Sequence, residues 1–180
     1  MGRKVTTPVG RVIWTDLKTK DKFGKHGIRL AFDEDTDLSE LEQAVNEVGK
    51  DKWPTGMPKA ALYPIQNGND QVNSDGEVWD TCKDMTVIRF RNEKLPESVN
   101  QNKDPIGTAD SIYSGCYVRI RTDIYAYDKG KGGINCDLDM IQFVRDGVPL
   151  STGKIEDPKE VFDSVELAEG EEAIESSPWT

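Results

Sequence analysis

Residues Tyr117 to Asp128 read YVRIRTDIYAYD, an alternation that predicts a β-strand with two unlike faces. Val118, Ile120, Thr122, Ile124 and Ala126 make an ordinary core face. The opposite face carries Tyr117, Arg119, Arg121, Asp123, Tyr125 and Tyr127. Tyrosine and arginine together offer two contacts to unpaired nucleic acid that do not depend on its sequence. A phenol ring stacks on the π-face of any base, worth roughly 1–3 kcal/mol per base. A guanidinium neutralises a phosphate, with a log–log salt slope of about −0.7 for each one on single strands. Side chains at i and i+2 on a strand stand about 6.5–7 Å apart, near the spacing of consecutive unstacked nucleotides. The alternating segment TVIRFR, Thr86 to Arg91, adds Arg89 and Arg91 to the patch if both strands share a sheet. Lys129 and Lys131, in the Gly-rich turn after Tyr127-Asp128, are placed to clamp a backbone. A competing reading has the tyrosines covering the sheet beneath a long loop or packing on a helix, with the arginines paired to nearby aspartates. Arginine stems often lie along apolar surface in that way. The strand alone leaves both readings open.

Other chemistry finds little support. His26 is the only histidine, which leaves no triad and no His-containing metal cluster. GKGG at 130–133 lacks the GxxxxGK[ST] pattern of a phosphate loop and joins two strands rather than opening a helix. Asp137, Asp139 and Asp146 suggest Mg²⁺ ligands of a nuclease, but strand carboxylates are more often solvent-facing charge. Cys82, Cys116 and Cys136 are odd in number and have no CxxC spacing. A reducing compartment fits them, and Cys116 and Cys136 read as small core residues. No cofactor or metal is expected, and an enzyme reading has little else to stand on.

The elements that must position these residues follow from pattern and turn chemistry. The chain has 180 residues, enough for one domain with a real core. Strands are expected at Gly10–Leu17, Ile28–Phe32 and Thr86–Arg91, at the Tyr/Arg segment, and at Ile134–Val144 as its hairpin partner. A Lys-rich loop, TKDKFGKHG, joins the first two. In the last strand Ile134, Cys136, Leu138 and Met140 share a face before the phase shifts to Ile141 and Phe143, so a bulge is expected near Met140. Asp37 and Glu40 suggest a capping box, and Leu38, Leu41, Val45 and Val48 lie on one helical face. That helix is expected to end at Gly49. Residues 51–80 read as one long loop, a length that is often functional. No apolar run approaches the ~20 residues of a membrane helix, and the N-terminus has no signal-peptide pattern.

Net charge is −10, which alone argues against nucleic acid. Its distribution changes the inference. Glu156, Asp157, Glu160, Asp163, Glu166, Glu169, Glu171, Glu172 and Glu175 face a single basic residue, Lys159, in the last 25 positions. The rest of the chain is nearly neutral. The reading is a domain over 1–155 and an acidic tail over 156–180, the tail disordered by composition. Its acidic residues Glu169, Glu171, Glu172 and Glu175 and its aromatic Trp179 suit two tasks. The tail can occupy the cationic groove until DNA displaces it, or dock on a replication partner. A plain solubilising tail, or a helix over 160–168, is the alternative.

One stretch carries a resemblance. Ser111 to Leu150 holds Tyr113-Ser114-Gly115-Cys116, an alternating strand ending at Tyr127-Asp128, the Gly-rich turn from Gly130 to Gly133, Leu138, Gln142 and Arg145-Asp146-Gly147. These residues resemble the signature of a family of bacteriophage and prophage single-stranded DNA-binding proteins, similar also to the replication single-stranded DNA-binding proteins of lytic phages. The resemblance implies a mainly β protein: a five-stranded OB-fold barrel with a short helix and long loops, acting without sequence preference in phage replication, recombination or repair. It implies single-stranded DNA as ligand and a replication protein such as a DNA polymerase as partner of the tail. It also implies the cytoplasm of the infected host, with a homo-oligomer left open. The alternatives are an OB-like protein–protein module and an RNA-binding protein.

Overall fold

A computed structural model describes residues 2–150, which form one compact unit. The expectations for the acidic tail fall outside the described residues. In chain order the strands are β1 (Arg3–Thr6), β2 (Gly10–Thr15), β3 (His26–Phe32), β4 (Ile65–Asn67), β5 (Thr86–Asn92), β6 (Glu97–Val99), β7 (Pro105–Ile106), β8 (Tyr117–Tyr127), β9 (Gly133–Cys136) and β10 (Met140–Arg145). The helices are α1 (Ser39–Lys52) and the single turn α2 (Thr108–Ser111).

The strands pair in the order β4-β5-β3-β2-β8-β10-β6-β7, with β1 and β9 also on β8. A parallel bridge joins Arg91 to Asp137, and the Leu138 N–H donates to the Arg91 carbonyl at 3.2 Å. That bridge brings β9 back towards β5, giving the circuit β2-β3-β5-β9-β8-β2. Five strands in this partly open circuit make an OB-fold. β8 holds the circuit together because it is long and pairs with four partners along its length. Its inward set, Val118, Ile120, Thr122 and Ile124, is fully buried, as the alternation predicts. Val12, Leu30, Ile88, Phe90, Cys136 and Leu138 complete the interior.

Helix α1 packs on β8, β1 and β9 through Leu41, Val45 and Val48. Burying each such side chain is worth about 1.5–3 kcal/mol. Asp37 accepts the Ser39 N–H at 3.0 Å, one residue ahead of the helix cap, and no reciprocal Glu40 bond forms among the described residues. The helix runs three residues past the expected stop at Gly49. A side chain at position 49 would press Ile134 Cδ1 at 3.3 Å, so this glycine permits close packing rather than ending the helix.

The phase shift in the last strand falls between Leu138 and Ile141, near Met140 as the pattern predicts, but Met140 itself leaves the core face. β9 ends at Cys136, residues 137–139 break the ladder, and β10 begins at Met140. Leu138 and Ile141 therefore both reach the core, while Met140 is exposed. The three cysteines are free and buried. Among the described residues no helix is long and apolar enough to cross a membrane.

Candidate nucleic-acid interface

The outer face of β2, β3 and β5 carries a cross-strand row. Trp14 pairs with Arg29, and Arg29 pairs with Arg89. Their neighbours Val12, Leu30, Ile88 and Phe90 point inward, so strand alternation turns Arg29 and Arg89 outward. The register shift between Val12 and Trp14 turns the indole outward as well, and it is 41% exposed. Two loops flank this face, 16–25 between β2 and β3 and 128–132 between β8 and β9. In OB barrels this face and the two corresponding loops hold oligonucleotides.

A cavity of about 340 Å³ opens on the same face. Arg89, Arg91, Tyr125, Tyr127, Lys129 and Lys25 line it, with Tyr63 from the long loop. Arg91 donates from Nη2 to Asp21 Oδ2 at 2.8 Å in a largely buried pair. Burial opposes ionisation of Asp21, but the N–H groups of Lys25 and Phe23, and then Arg91, hold its carboxyl below the usual range. The guanidinium of Arg91 also lies 5.4 Å from the centre of the exposed Phe23 ring. Arg91 is thus occupied in fixing the 16–25 loop at the rim of the cavity. Arg89 differs: among the described residues it makes no hydrogen bond or ion pair. Burial, with Arg91 and Arg29 beside it, pushes its guanidinium below the ordinary value. Arginine stays charged in proteins, so this is crowded positive charge, offset only in part by Asp21, which is itself paired with Arg91.

The long loop supplies a wall that sequence pattern does not show. The Leu62 N–H donates to the Gly132 carbonyl at 3.0 Å, and the Leu62 carbonyl accepts from the Ile134 N–H at 2.9 Å. Lys52 closes the junction with a 2.9 Å ion pair to Asp128. Gly133 permits the approach: a Cβ there would lie 2.8 Å from the Leu62 carbonyl and 2.9 Å from the Tyr127 hydroxyl. Tyr63 follows at once and faces the cavity, its phenol pushed above the ordinary value by burial and by Glu42. Tyr125 is raised too, by burial and by Asp137, and its hydroxyl accepts from Asn135 at 3.3 Å.

The sequence-predicted residues therefore fall into two groups. Arg89, Arg91, Tyr125, Tyr127 and Lys129 share one cavity, with Lys131 exposed in the same turn. Tyr117, Arg119 and Arg121 share the outward phase but lie further along β8. Arg119 donates through Nε to Gln142 Oε1 at 3.1 Å, and Nη2 reaches the same oxygen. Arg121 donates to Thr6 Oγ1 at 3.3 Å. Tyr117 lies between Arg11 and Arg145. Trp14, Lys25, Arg29 and Tyr63 went unselected in the sequence. The Lys-rich loop and the WT end of the first strand were the available signals for Lys25 and Trp14.

Asp123, Asp137 and Asp139 gather where β8 meets the 137–139 break. Burial, then Asp139 and Asp123, push the Asp137 carboxyl up to about 6; Lys25 and a 2.8 Å bond from Asn135 Nδ2 oppose the shift. Asp146 instead accepts from the Tyr113 hydroxyl at 2.6 Å. Among the described residues no group of three such side chains is placed to hold a metal ion. An aspartate raised in the folded state binds more protons folded than unfolded between about pH 4 and pH 6, so stability falls as pH rises through that window. Asp137→Asn is expected to raise the thermal midpoint at pH 7.5 and leave it near wild type at about pH 4. Melts at the two pH values check this.

An OB barrel with an aromatic, cationic outer groove belongs to the class of oligonucleotide-binding domains. The model of the Enterobacter phage Enc34 single-stranded DNA-binding protein family matches residues 12–174, and the chain belongs to that family. Among solved structures, it is similar to the single-stranded DNA-binding protein of bacteriophage Enc34 at 22% identity and TM-score 0.67, covering 89% of this chain and 90% of that one. The Enc34 protein in complex with single-stranded DNA matches at 21% identity and TM-score 0.66, over 82% and 89%. The single-stranded DNA-binding protein gp2.5 of bacteriophage T7 shares the fold at 11% identity and TM-score 0.62, over 93% and 99%. No curated protein sequence matches the chain.

Proposed function

We propose that this phage single-stranded DNA-binding protein coats exposed strands through the groove between the 16–25 and 128–132 loops. Bases stack on Tyr125 and Tyr127, with Trp14 and Tyr63 at the margins. Phosphates meet Arg89, Arg29 and Lys25, with Lys129 and Lys131 closing over the backbone. The carrying observation is the Arg29–Arg89 row beside those rings, which makes no hydrogen bond or ion pair among the described residues and is free to meet a polyanion. The Enc34 relative solved with single-stranded DNA supports the same ligand. The setting is replication, recombination or repair in the cytoplasm of the infected host, and no covalent chemistry is required.

The domain over 1–155 carries this activity, and the tail over 156–180 modulates it. Glu169, Glu171, Glu172, Glu175 and Trp179 compete with DNA for cationic surface and recruit a replication protein such as a polymerase. Deleting the chain after Ile155 is expected to tighten single-stranded DNA binding, most at low salt, where screening is least. Fluorescence titrations of both forms at two salt concentrations test it; equal or weaker affinity of the shortened form refutes the competition. Light scattering with and without poly(dT) tests for self-association.

A further inference from the structure

Away from the groove, a second row of outward side chains crosses the sheet. Arg145 pairs with Tyr117 and Tyr117 with Arg11, across β10, β8 and β2. The Arg145 guanidinium carbon sits 4.0 Å from the centre of the Tyr117 ring, and that of Arg11 5.9 Å from it. Neither charge is neutralised by a carboxylate among the described residues. Arg11 spends Nε and Nη2 on the carbonyls of Gly115 and Val148, at 3.3 and 3.0 Å. Arg145 makes no hydrogen bond or ion pair there and is exposed.

The cluster is held in place rather than adrift. The Tyr113 hydroxyl donates to Asp146 at 2.6 Å and accepts from the Gly147 N–H at 3.3 Å. The Leu150 N–H donates to the Ser114 carbonyl at 2.8 Å. Gly115 has φ +115°, and any Cβ there or at Gly147 would collide with the backbone facing it. A side chain at Gly147 would also meet Tyr117 Cε2 at 3.0 Å. The Tyr-Ser-Gly-Cys and Arg-Asp-Gly segments thus form a clasp that fixes Arg145 against Tyr117. Arg11, Tyr117 and Arg145 line a cavity of about 250 Å³, which Asp33 and Asp80 also border.

We infer that Arg11, Tyr117 and Arg145 form a second nucleotide subsite, which takes one base and its phosphate from the same DNA strand that fills the groove. A guanidinium stacked on a phenol presents a flat cationic surface on which any base can stack, and the free N–H edges donate to phosphate oxygens. The carboxylates of Asp33 and Asp80 on the same cavity repel a phosphate and leave room beside them for a base. Tyr117 lies eight residues before Tyr125 on β8, about 27 Å at strand rise. A short oligomer fills the groove alone, whereas a longer one spans both sites, within the roughly 4–16 nucleotides of one OB fold.

The inference rests on the groove reading, and oligomer length separates the two. Wild type and Arg145→Ala are titrated with thymidine oligomers of about 5 and about 14 nucleotides, a choice set by that range. The expected result is unchanged affinity for the short oligomer and a loss of about tenfold for the long one, with a salt slope shallower by about 0.7. Tyr117→Phe should keep most of the long-oligomer affinity, and Tyr117→Leu should lose it. Long oligomers carrying 5-iodouracil at successive positions should photocrosslink to Tyr117 from one end only. Equal effects on both lengths, no effect on either, or no crosslink at Tyr117 overturns the subsite. Loss of long-oligomer binding by wild type itself would instead overturn the groove reading. If Arg145→Ala leaves DNA untouched but abolishes binding of an acidic peptide, the cluster serves a protein partner and the proposal fails.

Discussion

Replacing Tyr125, Tyr127 and Arg89 with alanine together is expected to weaken poly(dT) binding by about 30-fold to 10⁴-fold. Two lost stacking platforms cost about 2–6 kcal/mol, and each 1.4 kcal/mol is a factor of ten. Loss of Arg89 adds a second signature, a salt slope shallower by about 0.7. The fold should tolerate the change. Arg89 makes no hydrogen bond or ion pair among the described residues, and Tyr125 makes a single 3.3 Å hydrogen bond. Arg119→Ala is the matched comparison. Its guanidinium is already engaged by Gln142, so its effect should stay within a few-fold. Fluorescence or anisotropy titrations at several salt concentrations, with far-UV circular dichroism to confirm folding, read all of these quantities.

Phe90→Ala is expected to cost about 3–5 kcal/mol of stability. Phe90 is fully buried in β5, between Arg89 and Arg91 in sequence, and it anchors the strand that presents them. Against a total stability of roughly 5–15 kcal/mol this is a large share. The urea midpoint should fall by more than about 1 M. Whatever fraction remains folded should still bind poly(dT), because the ring faces away from the groove. Val72→Ala, at an exposed loop position, should shift stability by less than about 0.5 kcal/mol. A midpoint for Phe90→Ala close to wild type would show that β5 is not packed as described.

The strands were legible because alternation between water and core is written directly into residue order. The Tyr/Arg segment and TVIRFR both show it, and their inward residues are buried as the pattern requires. Curvature is not written there. β8 keeps one outward phase from Tyr117 to Tyr127, yet it wraps the barrel past four partners. Its tyrosines and arginines therefore face different surroundings. The 51–80 stretch reads in sequence as one long loop, but it holds the short strand β4 paired with β5, and its role as a wall depends on backbone bonds from Leu62 to residues about 70 positions later. Nothing periodic marks such contacts. Gly49 and Met140 misled for a related reason. A glycine can end a helix or admit a neighbour, and a phase shift can fall on either side of a residue. Only the packing partner, Ile134 in one case and Leu138 with Ile141 in the other, decides between the two.

The central claim is that an outer groove of rings and unpaired guanidiniums holds unpaired DNA. The most direct measurement is a tryptophan fluorescence titration with poly(dT), repeated over a range of salt concentrations. Trp14, 41% exposed beside Arg29, is the one of the four tryptophans set on the outer face of β2, and Trp14→Phe should remove most of the signal. The account predicts quenching that saturates, is reversed by salt, and gives a log–log slope of about −2 or steeper, one −0.7 increment for each of several phosphates. Absence of saturable quenching, or an affinity that salt leaves unchanged, would contradict it.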